Sequence, residues 1–183
     1  MSEDKKYLFP QKQPEHPSFE VLTDWWRNLE NDTGERAALR RASSLTEIMT
    51  SPAYVRLLRT LRAEGYSISS SNKSLSKIAT IAGLAARVKT QTSEGLATCM
   101  GTPKTGGSTP AFSELRLRNL LARDDLEELY TQLRRALAIL DDRANLPDLA
   151  ATVWNWTRLN DKKPYDPRRR LAYDYYSAAP LKT

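Results

Sequence analysis

The chain has 183 residues, with 28 lysines and arginines against 22 aspartates and glutamates, a formal charge of +6 and an isoelectric point near 9.5. That length suits one domain or two small lobes sharing a core, and the basic balance calls for an anionic partner, whether nucleic acid, acidic protein or membrane surface. A single cysteine, Cys99, excludes an intramolecular disulfide, and the absence of any run of about 18 apolar residues excludes a membrane-spanning helix.

Leucine, alanine and arginine are abundant and glycine is sparse outside one loop. This composition predicts an all-α fold, a bundle of about eight helices arranged as one body or as two small helical lobes. Residues 1–17 are polar and carry Pro10, Pro14 and Pro17, which predicts an extended, mobile arm. Tyr7, Leu8 and Phe9 are the residues that could dock it. The arm lacks the apolar core of a signal peptide, so a cytoplasmic location is expected. Ser18 is positioned to cap a first helix through Glu30. Phe19, Leu22, Trp26 and Leu29 form its apolar stripe, with Trp25 at the edge, and aromatic residues at that spacing read as core.

Asp32 with Glu35 has the spacing of a capping box, followed by the short helix ERAALRRAS. Ser44 and Glu47 repeat the signature, and Ser51-Pro52 opens the next helix with proline at its favoured first position. In AYVRLLRTLRA, Tyr54, Leu57, Leu58 and Leu61 share one face, while Arg56, Arg59 and Arg62 share the other. Residues 36–62 hold six arginines and one acid, Glu47, a net of +5. Residues 65–74 read as a loop. Leu75, Ile78, Ala82, Ala85 and Val88 then recur with helical period, and Lys73, Lys77, Arg87 and Lys89 add four positive charges with no acid between them. Residues 90–110, rich in Gly, Thr and Ser, read as a long loop and as the place for a boundary between lobes. Their GGST is no phosphate loop, because Lys104 precedes Gly106-Gly107 instead of following it.

The stretch FSELRLRNLLARDDLEELYTQLRRALAIL, 112–140, is read as the centre of the fold. Asp124 and Glu127 have capping-box spacing. Leu126, Leu129, Tyr130, Leu133, Ala136, Leu137 and Leu140 fall on one stripe at about 100° per residue. Arg134 flanks the stripe and Arg135 lies opposite, and neither has an acid three or four residues away. Beyond it, Asn145-Leu146-Pro147 opens a helix carrying Leu149, Val153 and Trp156. Lys162 to Pro167 break it, and Asp166-Pro167 caps the last helix, RRRLAYDYY. Tyr173, Tyr175 and Tyr176 are expected half-buried, Arg168, Arg169 and Arg170 to be basic on several sides, and 178–183 to form a tail.

No catalytic chemistry is legible. The only histidine, His16, lies in the arm, and Cys99 has no partner cysteine, so neither metal ligation through these residues nor a triad is expected. Asp124-Asp125 and Asp141-Asp142 could hold Mg²⁺, but each pair abuts a helix boundary and reads as capping. No cofactor and no enzymatic activity are expected. The basic faces that lack local counter-charges are either solvated or used to neutralise phosphate, the latter giving salt-dependent binding with little sequence preference.

Five segments, DWWRNL (24–29), GERAALRRA (34–42), AYVRLLR (53–59), SELRLRNLLARDDLEELYTQLRRAL (113–137) and LAYDYY (171–176), in this order and spacing, resemble the CasB family, the small subunit of the type I-E CRISPR surveillance complex Cascade. The resemblance spans most of the chain. It implies an elongated, all-helical, non-catalytic domain over 18–177. It also implies partners: the crRNA-containing Cascade, its large and backbone subunits, a second copy of the chain, and the displaced non-target DNA strand, with no membrane. Such a subunit would stabilise the R-loop, in which opening a duplex against a guide is a near-balanced exchange that modest backbone contacts can tip. Arg41, Arg116, Arg123, Arg134 and Arg135 match the family's basic positions, and charge segregation adds Arg40, Arg56, Arg59 and Lys89. GLATCMG (95–101) departs from the aromatic-containing glycine turn usual there, and the arm is longer and richer in proline. A competing expectation is a helical adaptor whose basic face meets an acidic protein.

Overall fold

The computed structural model describes residues 7–156 and 166–180. The first six residues of the arm, most of the expected break before the last helix, and the last three residues of the tail lie outside it. Among the described residues ten helices follow one another: α1 (Pro17–Asn31), α2 (Thr33–Arg41), α3 (Leu45–Met49), α4 (Pro52–Ala63), α5 (Asn72–Arg87), α6 (Leu96–Gly101), α7 (Glu114–Leu121), α8 (Leu126–Ile139), α9 (Leu146–Trp154) and α10 (Pro167–Ala178). The class is all-α. Two residue pairs, β1 (Thr90–Gln91) and β2 (Arg143–Ala144), add one parallel contact with Thr90 opposite Arg143.

The helices pack on α5, not on the 112–140 stretch that sequence periodicity favours. Ten consecutive residues, Lys77 to Ala86, are buried, and α1, α2, α3, α4, α8 and α9 all contact this helix. Its residues explain this. Ala79, Ala82, Gly83, Ala85 and Ala86 leave no bulky side to keep neighbours away, and Ile78, Ile81 and Leu84 fill the gaps between them. Much of the apolar surface of α5 is alanine and glycine, which marks a buried face less strongly in the sequence than the leucines and tyrosine of α8. Gly83 marks the closest approach: a Cβ there would run into Ile48 Cδ1 and lie 2.9 Å from Tyr130 Cε2.

The 90–110 stretch is not a plain loop. It carries β1 and α6, and α6 packs against α10. Gly101 makes that packing possible, since a Cβ there would collide with the backbone oxygen of Tyr175. The Tyr175 hydroxyl donates to Phe112 O at 2.7 Å, and Phe112 N donates to Met100 O at 3.0 Å. Tyr175 is therefore buried, whereas Tyr173 and Tyr176 are exposed.

Most capping signals hold. Asp32, Ser44, Ser51, Asn145 and Asp166 each accept a backbone N–H from the helix they open. Two boundaries differ. His16, not Ser18, precedes α1, and the buried Ser18 hydroxyl instead accepts Phe9 N at 3.1 Å. This contact belongs to a docked arm. Leu8 and Phe9 are buried, Phe9 O accepts Asn155 Nδ2 at 3.2 Å, and the Phe9 ring sits 5.4 Å from Phe19 and 6.2 Å from Trp154. Two apolar residues thus hold the described part of an arm whose composition reads as mobile. At α8 the cap is Asp125, which accepts from Glu127 N at 2.8 Å and Glu128 N at 3.1 Å. The Glu127 carboxylate is drawn instead to Leu45 N, at 2.9 and 3.1 Å. Among the described residues no helix is long and apolar enough to cross a membrane.

Alanine at either glycine meets atoms that are held in place. Gly101→Ala must displace backbone and is expected to lower unfolding free energy by about 2 kcal/mol. Gly83→Ala meets the end of Ile48 but also the buried, hydrogen-bonded Tyr130 ring, and its gain in helix propensity offsets only part of that, so it too is expected to destabilise. Urea unfolding of both variants checks this, and an unchanged Gly101→Ala protein would contradict it.

Candidate nucleic-acid interface

Helix ends leave carbonyls without intrahelical partners, and charged side chains can satisfy them. At the end of α2, Arg134 Nη1 donates to Ala42 O at 2.9 Å and Nη2 to Arg40 O at 3.4 Å. The Tyr130 hydroxyl shares Ala42 O at 3.0 Å, and the guanidinium lies 5.3 Å over the Tyr130 ring. Burial pushes the Tyr130 phenol above its ordinary value, with Arg134 pulling the other way. Arg134 is therefore a clamp between α8 and α2. Arg36 does the same for α5, donating to Val88 O at 2.6 Å and Ala86 O at 3.3 Å.

A second cluster forms where α8 ends. Asp142 has a positive φ of 56° and is 5% exposed. Its carboxylate faces Lys89 Nζ at 3.0 Å, Arg87 Nη2 at 3.2 Å and Arg40 Nη2 at 3.7 Å. Three cations on one carboxylate leave a local excess of two positive charges. Asp142 is thus a charge hub as well as a helix-end residue. Arg40 and Lys89 also line a cleft of about 350 Å³ with Glu30, Thr33, Arg36 and Ala37.

The other predicted residues divide. Arg56 is held by Glu35, with one contact of 3.0 Å, so the acid missing from its own helix arrives from α2. Arg123 donates to Asn119 O at 2.9 Å and to Glu128 at 3.2 Å. Arg41, Arg59, Arg116 and Arg135 are exposed and have no ion-pair or hydrogen-bond partner for their side chains among the described residues. Arg62 shares that state three residues after Arg59, and its place on the basic face of AYVRLLRTLRA was the signal for it. Arg168 is the opposite case. It is 5% exposed, donates to Leu121 O at 2.9 Å, Arg123 O at 2.7 Å and Asp124 at 2.9 Å, and lies 4.4 Å over the Trp156 ring. Asp124 is thereby a partner for Arg168, not a helix cap. Among the described residues no three His, Cys, Asp or Glu side chains are grouped to hold a metal ion.

The exposed Arg41, Arg59, Arg62, Arg116 and Arg135, without partners among the described residues, belong to α2, α4, α7 and α8, while other cations are fixed to backbone carbonyls or to one buried carboxylate. Such a surface attracts polyanions through long-range charge and offers mobile guanidinium groups for phosphate.

The family model described as CRISPR-associated protein Cse2 matches residues 35–176. No curated protein matches the chain. Among solved structures, one chain of the crystal structure of E. coli Cascade bound to a PAM-containing dsDNA target aligns with a TM-score of 0.61 and 21% identity, covering 87% of this chain and 94% of that one. At that identity the likeness is one of fold.

Neighbouring arginines should respond differently to truncation. Arg134→Ala strips Arg40 O of its side-chain donor, leaves Ala42 O to Tyr130 alone, and is expected to cost about 1–2 kcal/mol. Arg135→Ala removes an exposed, unpaired group and is expected to stay within about 0.5 kcal/mol of the parent. Chemical unfolding of each measures the difference, and equal stability would contradict the clamp.

Proposed function

The chain belongs to the CRISPR-associated Cse2 family, which is the CasB family, the small subunit of the type I-E Cascade complex, and we propose that within Cascade it holds the displaced non-target DNA strand and so stabilises the R-loop. The observation that carries this reading is the state of Arg41, Arg59, Arg116 and Arg135: exposed, cationic and without partners among the described residues. A solvated stability-giving face would pair such groups with acids, as Arg56 is paired with Glu35. Four unpaired cations on a chain of net charge +6 instead favour association with phosphate, since counterion release drives that binding without regard to sequence. This suits a strand whose sequence changes with every guide.

The Asp142 cluster adds a graded contribution. Arg40 and Lys89 are held in place by one carboxylate shared among three cations, so each keeps much of its attraction for a passing phosphate. Arg123, Arg134 and Arg56 act mainly by holding helices together, and their part in DNA contact is secondary. The role is non-catalytic: the subunit supplies binding free energy, and strand cleavage belongs to another component. Contacts to the backbone subunits, the large subunit and a second copy of the chain complete the proposal.

Binding of the full chain to single-stranded DNA should weaken with salt. The logarithmic slope is expected to fall by about 0.7 for each arginine removed. Arg41→Ala with Arg135→Ala should therefore lower the slope by about 1.4 with helical circular dichroism unchanged. An unchanged slope, or a loss of helix in the double variant, would contradict the assignment.

A further inference from the structure

Four large apolar side chains remain exposed among the described residues, and three of them lie around one junction: Tyr173 and Tyr176 of α10, 73% and 49% exposed, and Leu115 of α7, 69% exposed. The junction is built. The Tyr176 hydroxyl donates to Glu114 Oε1 at 3.1 Å, Glu114 is held in turn by Arg118, and the Tyr176 ring meets Tyr175 edge to face at 5.2 Å and 89°. Tyr175 is itself buried and anchored to Phe112 O. The Tyr176 ring is thus fixed on one side and open on the other, so a ligand stacking on it orders little that is not already ordered.

The charged groups on α10 and α7 near these rings that lack a partner among the described residues are arginines. Arg118 is taken up by Glu114, and Arg170 by Asp148 and Asp174. Arg169, one turn before Tyr173 on the same side of α10, is exposed without a partner among the described residues, as is Arg116 next to Leu115. Open aromatic faces flanked by unpaired cations match a flexible polyanion made of flat rings. An acidic protein would satisfy the two arginines but would leave the ring faces without a stacking partner.

We propose that Tyr173 and Tyr176 form a stacking platform for unpaired bases of the single strand, with Arg169 and Arg116 on its phosphates. This rests on the strand-holding role proposed above and extends it from phosphate to base. Stacking is tolerant of sequence because every base has a π-face, so the platform would serve any displaced strand. It also gives the subunit a means of telling single-stranded from duplex DNA, whose bases are already stacked.

The test compares an oligothymidylate with an abasic strand of equal length and charge, bound to the full chain at one salt concentration. The parent protein is expected to prefer the base-bearing strand by roughly fivefold or more. Tyr173→Ala with Tyr176→Ala should abolish that preference, Tyr173→Ala alone should reduce it, and Tyr173→Phe with Tyr176→Phe should keep it. Arg41→Ala with Arg135→Ala should weaken both strands alike and leave the ratio unchanged. Equal binding of the two strands by the parent, or a preference that survives in the alanine pair, would overturn the platform while leaving the phosphate contacts standing. Failure of the parent to bind either strand would overturn both.

Discussion

Helix α5 can be surrounded only because its residues are small. Six helices contact it, and ten of its residues in succession are removed from solvent. Close approach multiplies dispersion contacts, and each is individually weak, so the packing is sensitive to single methyl groups. Gly83, between Ile48 and Tyr130, is where that limit is reached. The ring of Tyr130 then fixes Ala42 O, and Arg134 completes the clamp. The path from α5 through Tyr130 to the end of α2 therefore sets where Arg40 and Arg41 emerge.

The same packing decides which cations remain available. Arg168 is consumed by the interior, stacked on Trp156 and bonded to Leu121 O and Arg123 O. Arg87, Lys89 and Arg40 converge on Asp142 because α8 ends with two residues of positive φ, Asp141 and Asp142, which turn the chain back toward the end of α5. Among the described residues the exposed charged groups without a side-chain partner are mostly cationic: Arg41, Arg59, Arg62, Arg116, Arg135, Arg143 and Arg169, against the acids Glu15 and Glu20.

Helix positions were largely legible, because caps and apolar stripes are local. Ser51-Pro52, Asn145 with Pro147, and Asp166-Pro167 open helices where local spacing puts them. The family was legible too, from five segments in order. The centre of the bundle was not, since much of the apolar surface of α5 is alanine, which marks a buried face less strongly than the leucines and tyrosine of α8. Helix α6 was hidden by the Gly, Thr and Ser around it, and the docking of Leu8 and Phe9 depends on Asn155, far away in sequence. The division of arginines was least legible. Arg134 and Arg135 are adjacent and equally free of acids within the helix, yet one clamps backbone and the other faces solvent. Glu35 beside Arg56, and Asp142 beside Arg40, arrive only through tertiary packing, which sequence spacing does not record.

The central claim is that this subunit adds free energy to an otherwise balanced strand exchange by holding the strand the guide displaces. The most direct measurement is a nuclease or chemical footprint of the displaced strand in a reconstituted guide complex, with the chain present and absent and at increasing salt. The account predicts protection that depends on the chain and fades as salt rises. A displaced strand equally exposed in both complexes would contradict it and assign the basic surface to contacts with an acidic protein.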